Sequence, residues 1–79
     1  MPTVEKIIEK MKTSPNSITS REIVRVLNNR GFVQSHRKGS HTTFFNEHTG
    51  KVIIIPLNNT IKECYVNDAL DKIGESNEK

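Results

Sequence analysis

The sequence predicts an α+β fold in which a three-stranded antiparallel sheet packs against helices, in the order helix, helix, three strands, helix. Apolar residues recur with the period of a helix near both ends of the chain, and three strand-like runs joined by two short turns lie between them. With 79 residues, of which 33% are hydrophobic, the chain has room for one domain with a thin core. We therefore treat residues 1–79 as a single domain.

The first helix is predicted over residues 3–12. Its apolar residues follow the i, i+3, i+4, i+7 pattern that gathers side chains on one helix face, and they are Val4, Ile7, Ile8 and Met11. The Ser-Pro-Asn-Ser sequence at positions 14–17 ends this helix. We interpret residues 1–17 as an N-terminal helical extension, residues 18–74 as the core of the domain, and residues 75–79 as a polar tail.

The second helix has a clear start and a clear end in the sequence. Thr19 and Glu22 have the spacing of a capping box, in which each side chain accepts a hydrogen bond from the main chain of the other residue. Gly31 suits the left-handed conformation that follows many helices. Arg21 and Arg25 are four residues apart and share the polar face of this helix, where they either reach a phosphate or stay solvated.

Three strands are predicted over residues 32–37, 41–46 and 51–56, with turns at residues 38–40 and 47–50. If Asn46 pairs with Lys51, His41 lies opposite Pro56, and the apolar residues of the last two strands divide between both faces of the sheet. One face carries Thr42, Phe44, Ile53 and Ile55, and the other carries Thr43, Phe45, Val52 and Ile54. Apolar side chains on the second face predict a bound partner protein or second copy there, or else thicker helical cover.

The last helix is predicted to begin at a second capping box, formed by Thr60 and Glu63, and to end at Gly74. Its apolar stripe consists of Tyr65, Val66, Ala69, Leu70 and Ile73. Cys64 is the one cysteine, so an internal disulfide is excluded, and its position at the start of the helix is typical of a small packing residue.

The charge pattern suits a polyanionic partner, with an ordinary solvated surface as the alternative. The formal net charge is +3 and the sequence pI is about 9.3. Residues 21–41 include five arginines and lysines and one glutamate, whereas residues 63–79 include five acidic residues and two lysines. We expect a basic side near the histidines and an acidic end elsewhere. There is no apolar run long enough to span a membrane and no signal-peptide core, so we expect a cytoplasmic location and no membrane partner.

Residues 37–41, Arg-Lys-Gly-Ser-His, form the candidate functional motif. Arginine and lysine attract phosphate, glycine lets another chain approach closely, and histidine exchanges protons near neutral pH. We take His41 as the candidate catalytic residue. The candidate RNA-binding residues are His36, Arg37, Lys38, Gly39 and Ser40. Three scattered histidines and one cysteine lack the spacing of a zinc site, so we expect no metal and no cofactor.

The residues alone leave three other interpretations of this motif open. It is also the pattern of a basic hairpin turn with a surface histidine. It also suits a non-catalytic RNA-binding module in which the cations contact phosphates and 2′-hydroxyls. A helix–turn–helix or winged DNA-binding protein is the third alternative, since two helices and a hairpin are its parts.

Several of these features together resemble the HicA family of bacterial and archaeal toxins. They are the Gly-Phe pair at 31–32, the Lys-Gly-Ser-His motif at 38–41, a third strand ending in Pro56, and the Tyr-Val-x-x-Ala-Leu pattern of the last helix. The resemblance covers about residues 19–73. It implies a fold like that of the double-stranded RNA-binding domain and a metal-independent mRNA endonuclease (mRNA interferase). The histidine of Gly-Ser-His, here His41, would be catalytic, and a HicB antitoxin would hold the enzyme inactive, with a homodimer or a hetero-oligomer as the assembly.

Two features depart from the family pattern. Many relatives carry a second histidine after the proline that ends the third strand, whereas Leu57 and Asn58 follow Pro56 here. This difference weakens any mechanism that needs two histidines in the familiar places. The smallest relatives lack the helix predicted over residues 3–12, and this helix would change how a partner docks.

The chemistry expected of the motif uses the nucleophile that RNA itself carries. A base that removes the 2′-hydroxyl proton lets the 2′ oxygen attack the adjacent phosphate, and no metal is required in principle. His41 is the candidate base, while Arg37 and Lys38 would stabilise the charge that builds on the phosphoryl oxygens. The main-chain amides of Gly39 and Ser40 would assist. The acid that protonates the leaving oxygen is either His36 or water.

Overall fold

The computed structural model describes residues 3–57 and 60–75, and it confirms the predicted α+β fold and element order. The three α-helices are α1 (Val4–Thr13), α2 (Ser20–Asn29) and α3 (Glu63–Lys72), and a short 3-10 turn (Pro15–Ser17) joins α1 to α2. The three strands are β1 (Phe32–Lys38), β2 (His41–Asn46) and β3 (Val52–Pro56). Residues 58 and 59 of the predicted connection and residues 76–79 of the predicted tail lie outside the described residues.

The sheet is an antiparallel meander in the order β1-β2-β3, and the helices pack against one of its faces. The side chains of Phe44, Ile53 and Ile55 on that face are buried in a single cluster with apolar residues of all three helices. The helix residues of this core are Ile7, Ile8, Met11, Ile23, Val26, Leu27, Val66, Ala69 and Leu70. The helical period predicted from the sequence therefore matches the observed buried stripes.

The other sheet face, which we call the open face, carries Val33, His36, Lys38, His41, Thr43, Phe45, Val52, Ile54 and Pro56. The predicted pairing of His41 with Pro56, Thr43 with Ile54 and Phe45 with Val52 is confirmed. Four large apolar side chains of the open face remain solvent-exposed, Val33 at 56%, Phe45 at 37%, Val52 at 43% and Ile54 at 53%. Within the described residues, thicker helical cover of this face is therefore the wrong explanation for its apolar residues.

An irregularity in β1 decides which side chains of that strand reach the open face. The pairing shifts between Gln34 and His36, which leaves Ser35 as an extra residue without a partner in the ladder. The Ser35 hydroxyl donates a hydrogen bond to the carbonyl oxygen of Thr43 at 3.3 Å. In a regular strand His36 would lie opposite Thr42 on the helix side. The bulge places it opposite Thr43, on the open face.

The predicted capping box at the start of α2 is confirmed. Thr19 Oγ1 accepts a hydrogen bond from the Glu22 main-chain N–H at 3.2 Å, and Glu22 Oε1 accepts one from the Thr19 N–H at 2.9 Å. The Glu22 carboxylate also pairs with Lys10 Nζ at 3.1 Å, which links α1 to the start of α2. Burial raises the pKa of Glu22, but the hydrogen bonds from Thr19 and Lys10 and the charge of Lys10 outweigh it, so this pKa lies below its ordinary value.

Two predictions about α3 are wrong. The helix begins after Lys62, with no side-chain capping hydrogen bond, because Thr60 instead pairs with Thr19 in an isolated antiparallel bridge. The neighbouring Ile61 N–H donates to the Ile18 carbonyl oxygen at 2.8 Å, so this tertiary contact fixes the chain before the helix starts. Cys64, which we predicted to be a small packing residue, is exposed.

Candidate active site

The turn between β1 and β2 places the candidate motif at one end of the sheet. Gly39 has a φ of 63°, in the left-handed region that residues with side chains rarely adopt. The Arg37 side chain stabilises this turn, since its Nε donates a hydrogen bond to the Gly39 carbonyl oxygen at 3.0 Å. Gly39 therefore serves the turn geometry, and Ser40 leads the chain directly into β2.

His41 begins β2 and is exposed on the open face. It lies directly opposite Lys38 of β1 on one side and opposite Pro56 of β3 on the other. Residues directly opposite each other in antiparallel strands have β-carbons about 4.5–5.5 Å apart, so the imidazole and the lysine side chain share one patch of surface. Among the described residues, no side chain forms a hydrogen bond or an ion pair with the His41 ring.

His36 is the second histidine on the same face. It is exposed and lies opposite Thr43, which is two residues along β2 from His41. Such diagonal neighbours are about 7–8 Å apart, within reach of a group bound between them. The two histidines and Lys38 therefore surround one area of the open face. The third histidine, His48, lies in the β2–β3 turn at the other end of β2.

Arg37 stands apart from these three residues. It pairs with Thr42, whose side chain is buried on the helix side of the sheet, so Arg37 leaves β1 on the opposite side from Lys38. It is nevertheless exposed, and its contact with Gly39 keeps the guanidinium at the turn. The structure thus brings His36, Lys38 and His41 together on one face and places Arg37, Gly39 and Ser40 at its edge.

A groove lies beside this edge, between α2 and the residue that follows β3. Its volume is about 430 Å³, and it is lined by Ser20, Arg21, Val24, Arg25, Asn28 and Leu57. The Leu57 N–H donates a 2.7 Å hydrogen bond to the Ser40 carbonyl oxygen, which connects the groove to the turn before His41. The sequence predicted that Arg21 and Arg25 are neighbours, but no local pattern links Leu57 to α2.

Comparison with known protein families identifies the chain. A family model described as the HicA toxin of bacterial toxin–antitoxin matches residues 20–74, which is more than half of the 79 residues. The chain belongs to the HicA toxin family. The resemblance inferred from the motif is thereby confirmed, and membership implies an antitoxin partner in a toxin–antitoxin pair. No curated protein and no solved structure matches this HicA chain.

The matched range leaves out the start of this HicA chain. Helix α1 and the 3-10 turn lie before the matched residues. Leu57, not a histidine, follows Pro56 and lines the groove. Among residues 3–57 and 60–75, no three His, Cys, Asp or Glu side chains come together in a way that could hold a metal ion. The same residues contain no helix with the length and apolar character needed to cross a membrane.

Proposed function

We propose that this HicA chain is a metal-independent endoribonuclease that cleaves mRNA and acts as the toxin of its toxin–antitoxin pair. The observation that carries the proposal is the position of His41, which is exposed at the end of the open face and directly opposite Lys38. An acid–base side chain beside a cation, both accessible to a polymer, suits an attack on a phosphodiester.

The first step is the removal of a proton from the ribose. An imidazole nitrogen of His41 accepts the proton of a 2′-hydroxyl while the 2′ oxygen forms a bond to the adjacent phosphorus. The bond between that phosphorus and the 5′ oxygen of the next nucleotide breaks, and the leaving oxygen takes up a proton. The products are a 2′,3′-cyclic phosphate and a free 5′-hydroxyl end. Base catalysis of this kind contributes about 10²- to 10⁴-fold in rate.

The cations of the motif stabilise the charge on the phosphate. Lys38 lies across from His41 and supplies a positive charge where the non-bridging oxygens become more negative. Arg37 uses its Nε to hold the turn, and its terminal nitrogens keep their N–H groups for a phosphate oxygen. The main-chain N–H groups of Gly39 and Ser40 lie at the same edge and add donors without a net charge.

His36 is the residue we assign as the acid that protonates the leaving oxygen. It shares the open face with His41 at a diagonal position, about 7–8 Å away, so that a phosphate between the two rings would be in reach of both. In its protonated form it gives its proton to the 5′ oxygen as the phosphorus–oxygen bond breaks. This arrangement would replace the second histidine that relatives carry after the third strand, where this chain has Leu57.

Cleavage of a short RNA by His41→Ala tests the base. We expect the rate in EDTA to fall by about 10²- to 10⁴-fold while the circular dichroism spectrum stays that of the parent, because His41 is exposed. His48→Ala is the matched control, since it removes an exposed histidine at the other end of β2, and its rate should equal that of the parent. If the parent and His41→Ala both bind the RNA and neither of them shortens it, the chain is a non-catalytic RNA-binding module and the proposal is wrong.

A substrate with a better leaving group tests the acid. In a 5′-phosphorothiolate the scissile bond joins phosphorus to sulfur, and the thiolate leaves without needing a proton. The His36→Ala variant should therefore cleave ordinary RNA about 10²-fold more slowly than the parent does. It should cleave the sulfur substrate as fast as the parent. His41→Ala should be slow on both substrates. A defect of His36→Ala that is equally large on both would assign protonation to water and give His36 a binding role.

The antitoxin is the partner we place on the apolar part of the open face. Val33, Phe45 and Val52 form one row of this face, and Ile54 lies in the next row beside Thr43 and His36. These exposed apolar side chains adjoin the two histidines, so a protein that covers them also covers the proposed catalytic residues. Inhibition would then follow from simple obstruction of the RNA.

A further inference from the structure

The groove between α2 and Leu57 has features that the cleavage mechanism does not use. Its floor includes the apolar side chains of Val24 and Leu57, both partly buried against the core. Most of its surface is apolar, and the residues around it include the exposed side chains of Arg21, Arg25 and Asn28. A volume of about 430 Å³ is within the range of pockets that hold small organic groups.

We propose that this groove is a nucleotide subsite, in which one unpaired nucleotide of the RNA substrate docks beside the cleavage site. The base lies on the Val24–Leu57 floor with its edge toward the Asn28 amide. Its flanking phosphate pairs with Arg21 and Arg25. This proposal rests on the proposed function for its ligand, since it assigns the path of the RNA strand before or after the phosphate that the 2′ oxygen attacks.

The electrostatics of the groove favour a polyanion over other occupants. Arg21 and Arg25 lie four residues apart on one face of α2, and neither forms an ion pair with a residue in the described part of the chain. By contrast, Arg30 at the end of the same helix pairs with Glu75 at 3.6 Å. Two unneutralised guanidiniums beside an apolar floor suit a phosphate joined to a flat aromatic base.

The groove is also continuous with the candidate active site. Leu57 directly follows Pro56, which lies opposite His41 in the sheet. The 2.7 Å hydrogen bond from the Leu57 N–H to the Ser40 carbonyl oxygen holds the groove against the β1–β2 turn. An RNA strand that crosses the turn at Ser40 therefore reaches the groove at Leu57, which is one residue from the Pro56 that pairs with His41.

RNA affinity in a catalytically inactive background tests the charge part of this proposal. Arg21→Gln and Arg25→Gln would be introduced together into His41→Ala, and binding of a short unstructured RNA would be measured at several salt concentrations. We expect the affinity for RNA to fall about 10-fold or more. The slope of the logarithm of the association constant against the logarithm of the salt concentration should become shallower by about 1.4, the value for two lost phosphate contacts on a single strand. Lys6→Gln with Lys51→Gln, neither of which lines the groove, removes the same charge and should change the slope less.

An abasic scan tests the base part. RNAs that lack a single base, moved one position at a time, keep every phosphate but lose one stacking surface. We expect one position near the cleavage site to lose about 5-fold or more in affinity, because the missing base no longer buries apolar surface against Val24 and Leu57. If no position stands out, the apolar floor holds no base and the subsite is wrong.

The outcomes separate this proposal from the proposed function. If the arginine variant binds RNA as the parent does, yet the parent cleaves RNA, the groove proposal fails and the nuclease stands. If the arginine pair matters for binding but no cleavage occurs, the groove stands on a chain that only binds RNA. If the variant loses antitoxin binding and keeps RNA affinity, the groove is a protein-docking site and the nucleotide assignment is overturned.

Discussion

The side-chain nitrogen of Asn46 donates a 3.1 Å hydrogen bond to the main-chain carbonyl oxygen of Arg30, and so joins the last residue of β2 to the end of α2. Asn46 Oδ1 also accepts hydrogen bonds from the main-chain N–H groups of His48, at 2.8 Å, and Thr49, at 3.2 Å. Asn46 is buried, and one amide therefore satisfies three main-chain groups that hold the β2–β3 turn and the helix end.

Asn46→Ala should lower the free energy of unfolding by about 2–3 kcal/mol, because each lost hydrogen bond contributes about 1 kcal/mol and buried partners are left unpaired. The midpoint and slope of a urea titration measure this. Asn46→Asp keeps the two acceptor contacts but sets a carboxylate oxygen against the Arg30 carbonyl oxygen, so it should also be less stable than the parent. Equal stability of Asn46→Ala and the parent would show that these contacts are replaced by water at no cost.

Thr42→Val should make the protein more stable. Thr42 is fully buried beneath the sheet, and within the described residues its hydroxyl has no hydrogen-bond partner. Replacing the hydroxyl by a methyl group removes an unsatisfied polar atom from an apolar environment at nearly constant volume, for a gain of about 1 kcal/mol. Thermal unfolding measures it, with Thr42→Ala as the control that loses packing as well. A Thr42→Val protein that is less stable than the parent would mean that the hydroxyl does have a partner.

Glu22 should make stability depend on pH in the acid range. Since its pKa in the folded protein is below its ordinary value of 4.5, the ionised carboxylate stabilises the fold fully above that value, and this contribution is lost as the pH falls through the folded pKa. Glu22→Gln should cost about 0.5–1 kcal/mol at neutral pH, and the difference from the parent should shrink as the solution is acidified below 4.5. Denaturant titrations over the acid range measure it.

The control for this experiment is Glu9→Gln, which changes an exposed carboxylate on α1. Its difference from the parent should be small at every pH. If Glu22→Gln shows a constant difference from neutral to acid pH, the stabilisation comes from the hydrogen bonds of the capping box alone and the charge contributes nothing.

Ile54→Lys should weaken the complex with the antitoxin. Ile54 is 53% exposed in the middle of the edge strand β3, on the open face, and a lysine there places a charge where an apolar contact is expected. We expect at least a tenfold loss of affinity for the antitoxin, measured by calorimetry in the His41→Ala background. Asn16→Lys adds the same charge at an exposed position near α1 and should bind normally. Equal affinity of both variants would place the antitoxin elsewhere.

Local sequence signals predicted the features that depend on local contacts. The Thr19–Glu22 capping box formed because both residues lie within one helical turn. The same pattern failed at Thr60, because that residue pairs with Thr19, forty-one positions away, and the helix starts later. The β2–β3 register was predictable because the turn between the strands is short and the side chains alternate cleanly.

The parts of the candidate site that depend on distant contacts were not predictable. The groove depends on Leu57 lying beside α2, and no spacing in the sequence links the two. The position of His36 depends on the extra residue in β1. This strand contains no glycine or proline that would predict a bulge from the sequence. His41, by contrast, was placed correctly on the second face because its pairing with Pro56 follows from the β2–β3 turn.

The bulge at Ser35 changes how this chain is to be compared with others of its family. The strand from Phe32 to Lys38 has 7 residues, and one of them adds length without adding a rung to the ladder. In a homologue whose first strand is regular, the side chain equivalent to His36 therefore occurs one letter earlier, immediately after the counterpart of Gln34. An alignment that matches letters without a gap would pair His36 with a residue on the helix side of the sheet, and would miss a histidine that shares its chemistry.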